Sequence, residues 1–218
     1  MCIRDSYKEV DRPIEKVQMD STNYGEYYVW VNNDHTAYLN GLELEFRKHL
    51  GFLGDFWSDF SIGGNYTYID AVVKEVSPIY EREVGNWDPY FVDIPEDALF
   101  TGSSQERRLF DQPEWIVNTD LTYEHEESGT RLTIAYYAIS EILDASAAAS
   151  PTMDLYLNDY YRVDFTARQR LLDGLQLSLS IKNLTDSLRS LQYDPYATSK
   201  DIYQRRYRVG RDLSLIHI

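Results

Sequence analysis

The feature that most limits what this chain can become is a two-residue period sustained over long runs. "LELEFRK" sets Leu42, Leu44 and Phe46 against Glu43, Glu45 and Arg47. "DFSIGGNYTYI" sets Phe60, Ile62, Tyr66 and Tyr68 against Ser61, Asn65 and Thr67. "WIVNTDLTYE" sets Trp115, Val117, Leu121 and Tyr123 against Asn118, Asp120, Thr122 and Glu124. "RLTIAYY", "RVDFTARQR", "LQLSLSIK" and, more weakly, "YQRRYRVGRD" repeat the pattern. A period of two is that of a strand with one apolar and one polar face. Several runs reach about 12 residues, against roughly 5–6 for a strand in an ordinary sheet. "EYYVWV" reads as a further strand or as part of a loop. "IPEDALF" and "EILDASAAAS" read as a helical turn or two.

The connections discriminate further. "GFLGD", "EESG" and "DG" are short, whereas the segments near 75–112, 144–159 and 189–200 are long. From residue 36 onward short and long alternate. A Greek-key sandwich has no reason to alternate its loops, because its connections also cross between sheets. A transmembrane barrel does, with short turns on the periplasmic side and longer loops outside. The pattern therefore favours an all-β, antiparallel up-and-down transmembrane β-barrel. A soluble β-protein with solvated outer faces stays open as the rival.

Composition removes other classes. The formal net charge is −15, the wrong sign for wrapping nucleic acid, whose phosphates need a basic surface. The single cysteine, Cys2, offers no disulfide framework. No run of about 18 apolar residues provides a transmembrane helix, but a spanning strand needs only about 9–11 residues, alternately apolar. The 19 tyrosines suit a soluble β-protein and the two interfaces of a bilayer equally.

The termini are mutually related. Written as ATG TGT ATA AGA GAC AG, residues Met1 to Ser6 have a reverse complement, CTG TCT CTT ATA CAC AT, that reads Leu-Ser-Leu-Ile-His and the start of Ile. Those are residues 213–218. The word resembles a transposon end used to tag DNA for sequencing. The expectation is that 1–6 and 213–218 are non-native sequencing scars, and that 7–212 is a gene fragment open at both ends.

"YKEVDRPIEKV", "NGLELEF", "NYTYI", "RLFDQPEWIVNTDLTY" and "NLTD" follow one another in order. Together they resemble the C-terminal part of the β-barrel of TonB-dependent outer-membrane receptors, over nearly all of residues 7–212. The resemblance implies a barrel of roughly 22 strands plugged by a separate N-terminal domain. This chain would hold about eight of those strands, counting a partial one near Tyr7 to Asp11. It further implies residence in the bacterial outer membrane and uptake of a scarce nutrient: a siderophore, cobalamin or a carbohydrate. Its partners would be the outer-membrane bilayer, the small nutrient ligand, and TonB through the missing N-terminal region. A passive porin-like barrel and a soluble β-sandwich binding module remain the alternatives.

Catalysis has little support. No phosphate-binding Gly-Lys-Ser/Thr loop, nucleophile elbow or HExxH occurs, and His125 beside a turn reads as solvated. No enzyme activity, cofactor or metal is expected. Glu81, Glu83, Asp88, Asp93, Glu96 and Asp97 are spaced too irregularly for a Ca²⁺ loop and read as a solvated segment. In that segment Tyr80, Trp87, Tyr90 and Phe91 are candidates for gripping a sugar or apolar nutrient, or for packing the loop on itself. Arg107 and Arg108 are candidates for an anionic ligand such as a ferric chelate, or for pairing with nearby acids. The Asn-X-Thr matches at Asn65 and Asn183 fall in or beside strands and read as chance. Gly41, Gly63, Gly64 and Gly210 suggest bulges or close backbone approach.

Overall fold

The structure, a computed structural model, describes residues 1–19, 27–33, 35–74, 106–147, 154–193 and 202–217. The described residues form fifteen strands: β1 Cys2–Val10, β2 Ile14–Met19, β3 Tyr27–Asn32, β4 Ala37–His49, β5 Phe60–Lys74, β6 Glu106–Arg108, β7 Trp115–His125, β8 Thr130–Ile139, β9 Ile142–Ala147, β10 Leu155–Leu157, β11 Tyr160–Leu172, β12 Leu175–Lys182, β13 Leu188–Tyr193, β14 Tyr203–Arg208 and β15 Asp212–His217. Among them no helix is long and apolar enough to cross a membrane.

Eight strands make a continuous antiparallel wall in the order β1-β4-β5-β7-β8-β11-β12-β15, and the short β6 pairs with β5. Consecutive wall strands are neighbours, as an up-and-down barrel requires. Register converts the sequence alternation into rows that run across the wall. Ile62, Leu121, Ile134, Phe165, Ile181 and Leu213 face one another in turn. One step away, Ser61, Thr122, Thr133, Thr166, Ser180 and Ser214 form a row of hydroxyls. Successive side chains of a strand point to opposite faces, so the first row lies on one side and the second on the other.

The apolar face is uncovered. Leu121 is 38% exposed and Ile134 50%, where a sandwich would bury both against a second sheet. A contiguous apolar face of this width is foreign to a soluble monomer and is what the acyl chains of a bilayer cover. The wall is thus part of a transmembrane β-barrel, and the sandwich alternative fails on this face.

At the long-connection end a second sheet, ordered β14-β13-β10-β9-β2-β3, is built from segments between the wall strands. Its joints are antiparallel except one: β2 meets β9 in parallel, through Val17↔Ser146 and Gln18↔Ala147. The best-buried apolar residues sit in this region. Ala37, Ala71, Val73 and Leu109 form one cluster; Ala145, Leu155 and Leu191 form another.

The chain passes from wall to mouth through a seam of special backbone. Arg12, Asn183, Asp186 and Gly210, all between wall and mouth strands, have φ of 50°, 56°, 49° and 85°, and Asp111, between β6 and β7, has φ of 57°. Asn and Asp tolerate this left-handed region better than most side chains. Asn183 also fastens it: its Nδ2 donates to Gly210 O at 2.7 Å, and its Oδ1 accepts from Ser187 N at 3.0 Å. Ser140 Oγ accepts from the backbone N–H groups of Glu114 and Trp115 at 2.8 and 3.2 Å.

Two expectations need correction. "EILDASAAAS" contains strand β9 rather than a helical turn, because Leu143 and Ala145 are fully buried by the mouth sheet. "YQRRYRVGRD" does not supply the last wall strand: Tyr203–Arg208 pairs with β13 in the mouth, and Asp212–His217 pairs with β12. Of the segments set aside from the fold, Cys2–Ser6 lie in the edge strand β1 and Leu213–His217 in the edge strand β15. An open edge offers backbone N–H and C=O groups to any extended segment, so pairing there asks little of the side chains. "EYYVWV" does contain a strand, β3, placed in the mouth. Gly41, Gly63 and Gly64 are not bulges, since the β4–β5 ladder runs unbroken from Tyr38↔Val72 to His49↔Ser61. Close approach is the reason at Gly64, where a Cβ would stand 2.9 Å from Asn118 O and 3.1 Å from the Phe46 ring.

Candidate functional site

Two polar surfaces stand out, one on the wall and one at its long-connection end. The first is the inner face of the wall. Glu45, Asn65, Asn118, Tyr137 and Arg162 are successive cross-strand neighbours. With Arg47, Asp120 and Asp164 they line a shallow groove of about 280 Å³. Arg47 and Asp120 stand 3.7 Å apart, and Arg162 and Asp164 stand 3.3 Å apart. The Arg162 guanidinium also lies 5.3 Å from the centre of the Tyr137 ring. The two oppositely charged rows visible in the sequence do not meet directly, because β8 runs between β7 and β11. Asp120 instead pairs with Arg47, Glu124 with Arg131 at 3.8 Å, and Arg162 with Asp164 on its own strand. Such a face is wettable and mixed in sign, suited to water and polar solutes rather than to lipid.

The second surface is at the mouth, where β2, β6 and β9 converge. Glu15 is fully buried, and its Oε2 accepts from Arg107 Nη2 at 2.9 Å and from Asn33 Nδ2 at 2.7 Å. Asn33 Nδ2 also donates to Lys74 O. Beside this pair, Arg108 bridges Glu114 at 2.7 Å and Glu141 at 3.2 Å, and Lys16 meets Asp144 at 2.7 Å. The buried Glu15–Arg107 pair holds the β2–β3 hairpin against β6. Removing one partner of such a pair costs about 3–5 kcal/mol, because the other charge is left buried and alone.

Of the residues singled out in the sequence, Arg107 and Arg108 are successive residues of β6 with separate partners, and both are engaged with carboxylates, the alternative to an anionic ligand. Tyr80, Trp87, Tyr90 and Phe91, with Phe100 and the acidic residues of the same segment, lie outside the described residues. His125 is at the exposed turn, with Nδ1 3.1 Å from Ser128 Oγ. Among the described residues no cluster of three or more His, Cys, Asp or Glu side chains is arranged to hold a metal. Sequence reasoning missed Glu15, Asn33, Lys16 and Asp144. The usable signal was Glu15 itself, which shares strand parity with the apolar Val17 and so occupies a position meant for burial.

Comparison with known proteins agrees with this architecture. The family model described as TonB dependent receptor-like, beta-barrel, matches residues 7–184. No curated protein matches the chain. Among solved structures, the siderophore receptor PiuA from Acinetobacter baumannii is similar at a TM-score of 0.51 and 15% identity. That match covers 99% of this chain and 25% of the receptor, so the chain spans about a quarter of that protein's length. The barrel-domain match extends over most of the chain, and the wall has the topology and the two-faced character such a domain needs. The chain belongs to the TonB-dependent receptor family and forms part of its β-barrel.

Proposed function

We propose that this chain is the C-terminal portion of the barrel of a receptor that imports a scarce nutrient across the bacterial outer membrane, with energy delivered through TonB. Residues 7–212 are its native part in this reading, and residues 1–6 and 213–218 are foreign. The observation that carries the proposal is the barrel-domain match over residues 7–184, on a wall whose apolar rows face outward. A ferric siderophore is the favoured nutrient, supported by the siderophore receptor among similar folds; Arg107 and Arg108 are engaged with Glu15, Glu114 and Glu141 and lend it no support. Tyr80, Trp87, Tyr90 and Phe91 are the aromatic candidates for ligand contact in the adjoining connection. The chain's role is binding and conduction rather than catalysis.

The test uses the full-length gene, expressed in cells deprived of their own siderophore receptors. Uptake of radiolabelled ferric chelate should appear with the gene and vanish when TonB is deleted. Uptake that persists without TonB supports a passive porin and defeats the proposal. Binding of a carbohydrate or cobalamin in place of every chelate tried would retain the receptor and reassign its substrate.

A further inference from the structure

The three short turns at the end of the wall opposite the mouth differ sharply in chemistry. The β7–β8 turn, Glu126 to Gly129, is polar, and the β11–β12 turn is Asp173-Gly174. The β4–β5 turn instead carries Phe52, Leu53, Phe56 and Trp57, exposed by 68, 56, 75 and 36%. Two successive 3-10 turns, Gly51–Leu53 and Asp55–Trp57, carry them. Four large apolar side chains on one turn are a heavy cost to leave in water.

Their rings continue the outer face of the wall. Phe56 and Trp57 pack on Phe60 at centroid distances of 5.6 and 5.3 Å, and Phe60 packs on Tyr123 at 5.1 Å. Phe60 and Tyr123 begin the outward row that proceeds through Leu132, Ala167, Leu179 and Leu215. One cation belongs to the same patch. Lys48 is the cross-strand partner of the outward-facing Ile62, and its Nζ lies 5.5 Å from the centre of the Phe52 ring. Among the described residues no carboxylate pairs with Lys48. Of the turn's acids, Asp55 gives only its backbone O to the Ser58 hydroxyl, at 2.7 Å, and Asp59 Oδ1 lies 3.5 Å from the same hydroxyl.

We propose that the Leu50–Asp59 turn is a bilayer anchor, with Phe52, Leu53, Phe56 and Trp57 entering the boundary between acyl chains and headgroups while Lys48 takes a phospholipid phosphate. A long side chain with an apolar stem and a charged tip is suited to that depth, and aromatic rings favour it too. The turn thereby sets how deeply this side of the barrel sits in the leaflet facing the periplasm. The inference rests on the proposed outer-membrane placement.

The experiment uses the full-length receptor folded into phospholipid vesicles, with nitroxides at F56C and, as a wall reference, L177C. Both sites should collide with lipid-dissolved oxygen, the Phe56 site at the shallower depth. A wall site in lipid with a Phe56 site open to an aqueous nickel chelate overturns the anchor and leaves the barrel standing. So does a Phe56 site shielded from both reagents, which means that a protein or a second copy covers the turn. A shielded Leu177 site overturns the membrane placement itself, and the anchor with it. Native Trp57 gives an independent readout should F56C misfold. With W57F subtracted as background, lipids brominated high on the acyl chain should quench it, and K48E should exchange that quenching for quenching by iodide. Unchanged lipid quenching in K48E overturns the phosphate contact.

Discussion

Exchanging side chains at two adjacent residues tests the assignment of inside and outside most directly. Ile134 and Ala135 are neighbours in the middle of β8. Ile134 lies between Leu121 and Phe165 on the apolar face and is 50% exposed. Ala135 lies between Asp120 and Asp164 on the polar face. An arginine at Ile134 must enter hydrocarbon, at a cost of about 2–4 kcal/mol near the bilayer midplane. That lowers the folding equilibrium constant roughly 30- to 700-fold, at tenfold per 1.4 kcal/mol. An arginine at Ala135 meets two carboxylates and water, and a change within about 0.5 kcal/mol is expected, as for an ordinary solvated position. The assay is urea-dependent folding of the full-length protein into lipid vesicles, followed by the faster gel migration of the unheated folded barrel. The expected order is wild type close to A135R, with I134R well below both. If I134R folds like wild type while A135R fails, the faces have been assigned backwards. If neither matters, the wall does not span a bilayer at β8.

Two further outcomes follow from the mouth and the seam. E15Q removes the charge that faces Arg107, and the loss of about 3–5 kcal/mol should be confined to the hairpin, because β2 joins β9 through only two residue pairs. Hydrogen exchange should then rise in Ile14–Asn32 with the wall unchanged; equal protection in both proteins removes the pair from its clamping role. At Asn183, N183A loses the side-chain bonds and also forces φ of 56° on a residue that resists it, whereas N183G loses only the bonds. N183A should therefore be the less stable of the two by about 1–2 kcal/mol in chemical denaturation, and equal stability would mean that the left-handed backbone carries no strain.

The wall was legible because its signal is local. Leu175, Leu177, Leu179 and Ile181 alternate within one strand, and parity alone assigns them to one face. Loop-length alternation then gave the order of neighbours for β4, β5, β7, β8, β11 and β12, whereas the last expected strand went to the mouth and Asp212–His217 took its place in the wall. The mouth sheet was not legible, because its strands are short and their partners distant. Arg107 lies 92 residues after Glu15, and Val17 pairs with Ser146 across most of the chain. The strand β9, "ILDASA", carries little β-propensity, and burial of Leu143 and Ala145 outweighs that weak preference. The seam was half visible: Gly210 and the "NLTD" segment were noticed, but neither Arg12 nor Asp111 announces a left-handed backbone in the sequence.

That seam separates two kinds of hydrogen-bonded order. Above it, strands pair by their own pattern, including a parallel joint that the wall never uses; below it, every ladder is a plain meander. Wall and mouth are laced by separate backbone ladders and meet through a few side-chain contacts, such as Glu15 with Arg107 and Asn33 with Lys74. The barrel can therefore keep an unchanging stave-work while exchanging its vestibule piece by piece, as a standard pipe accepts different fittings.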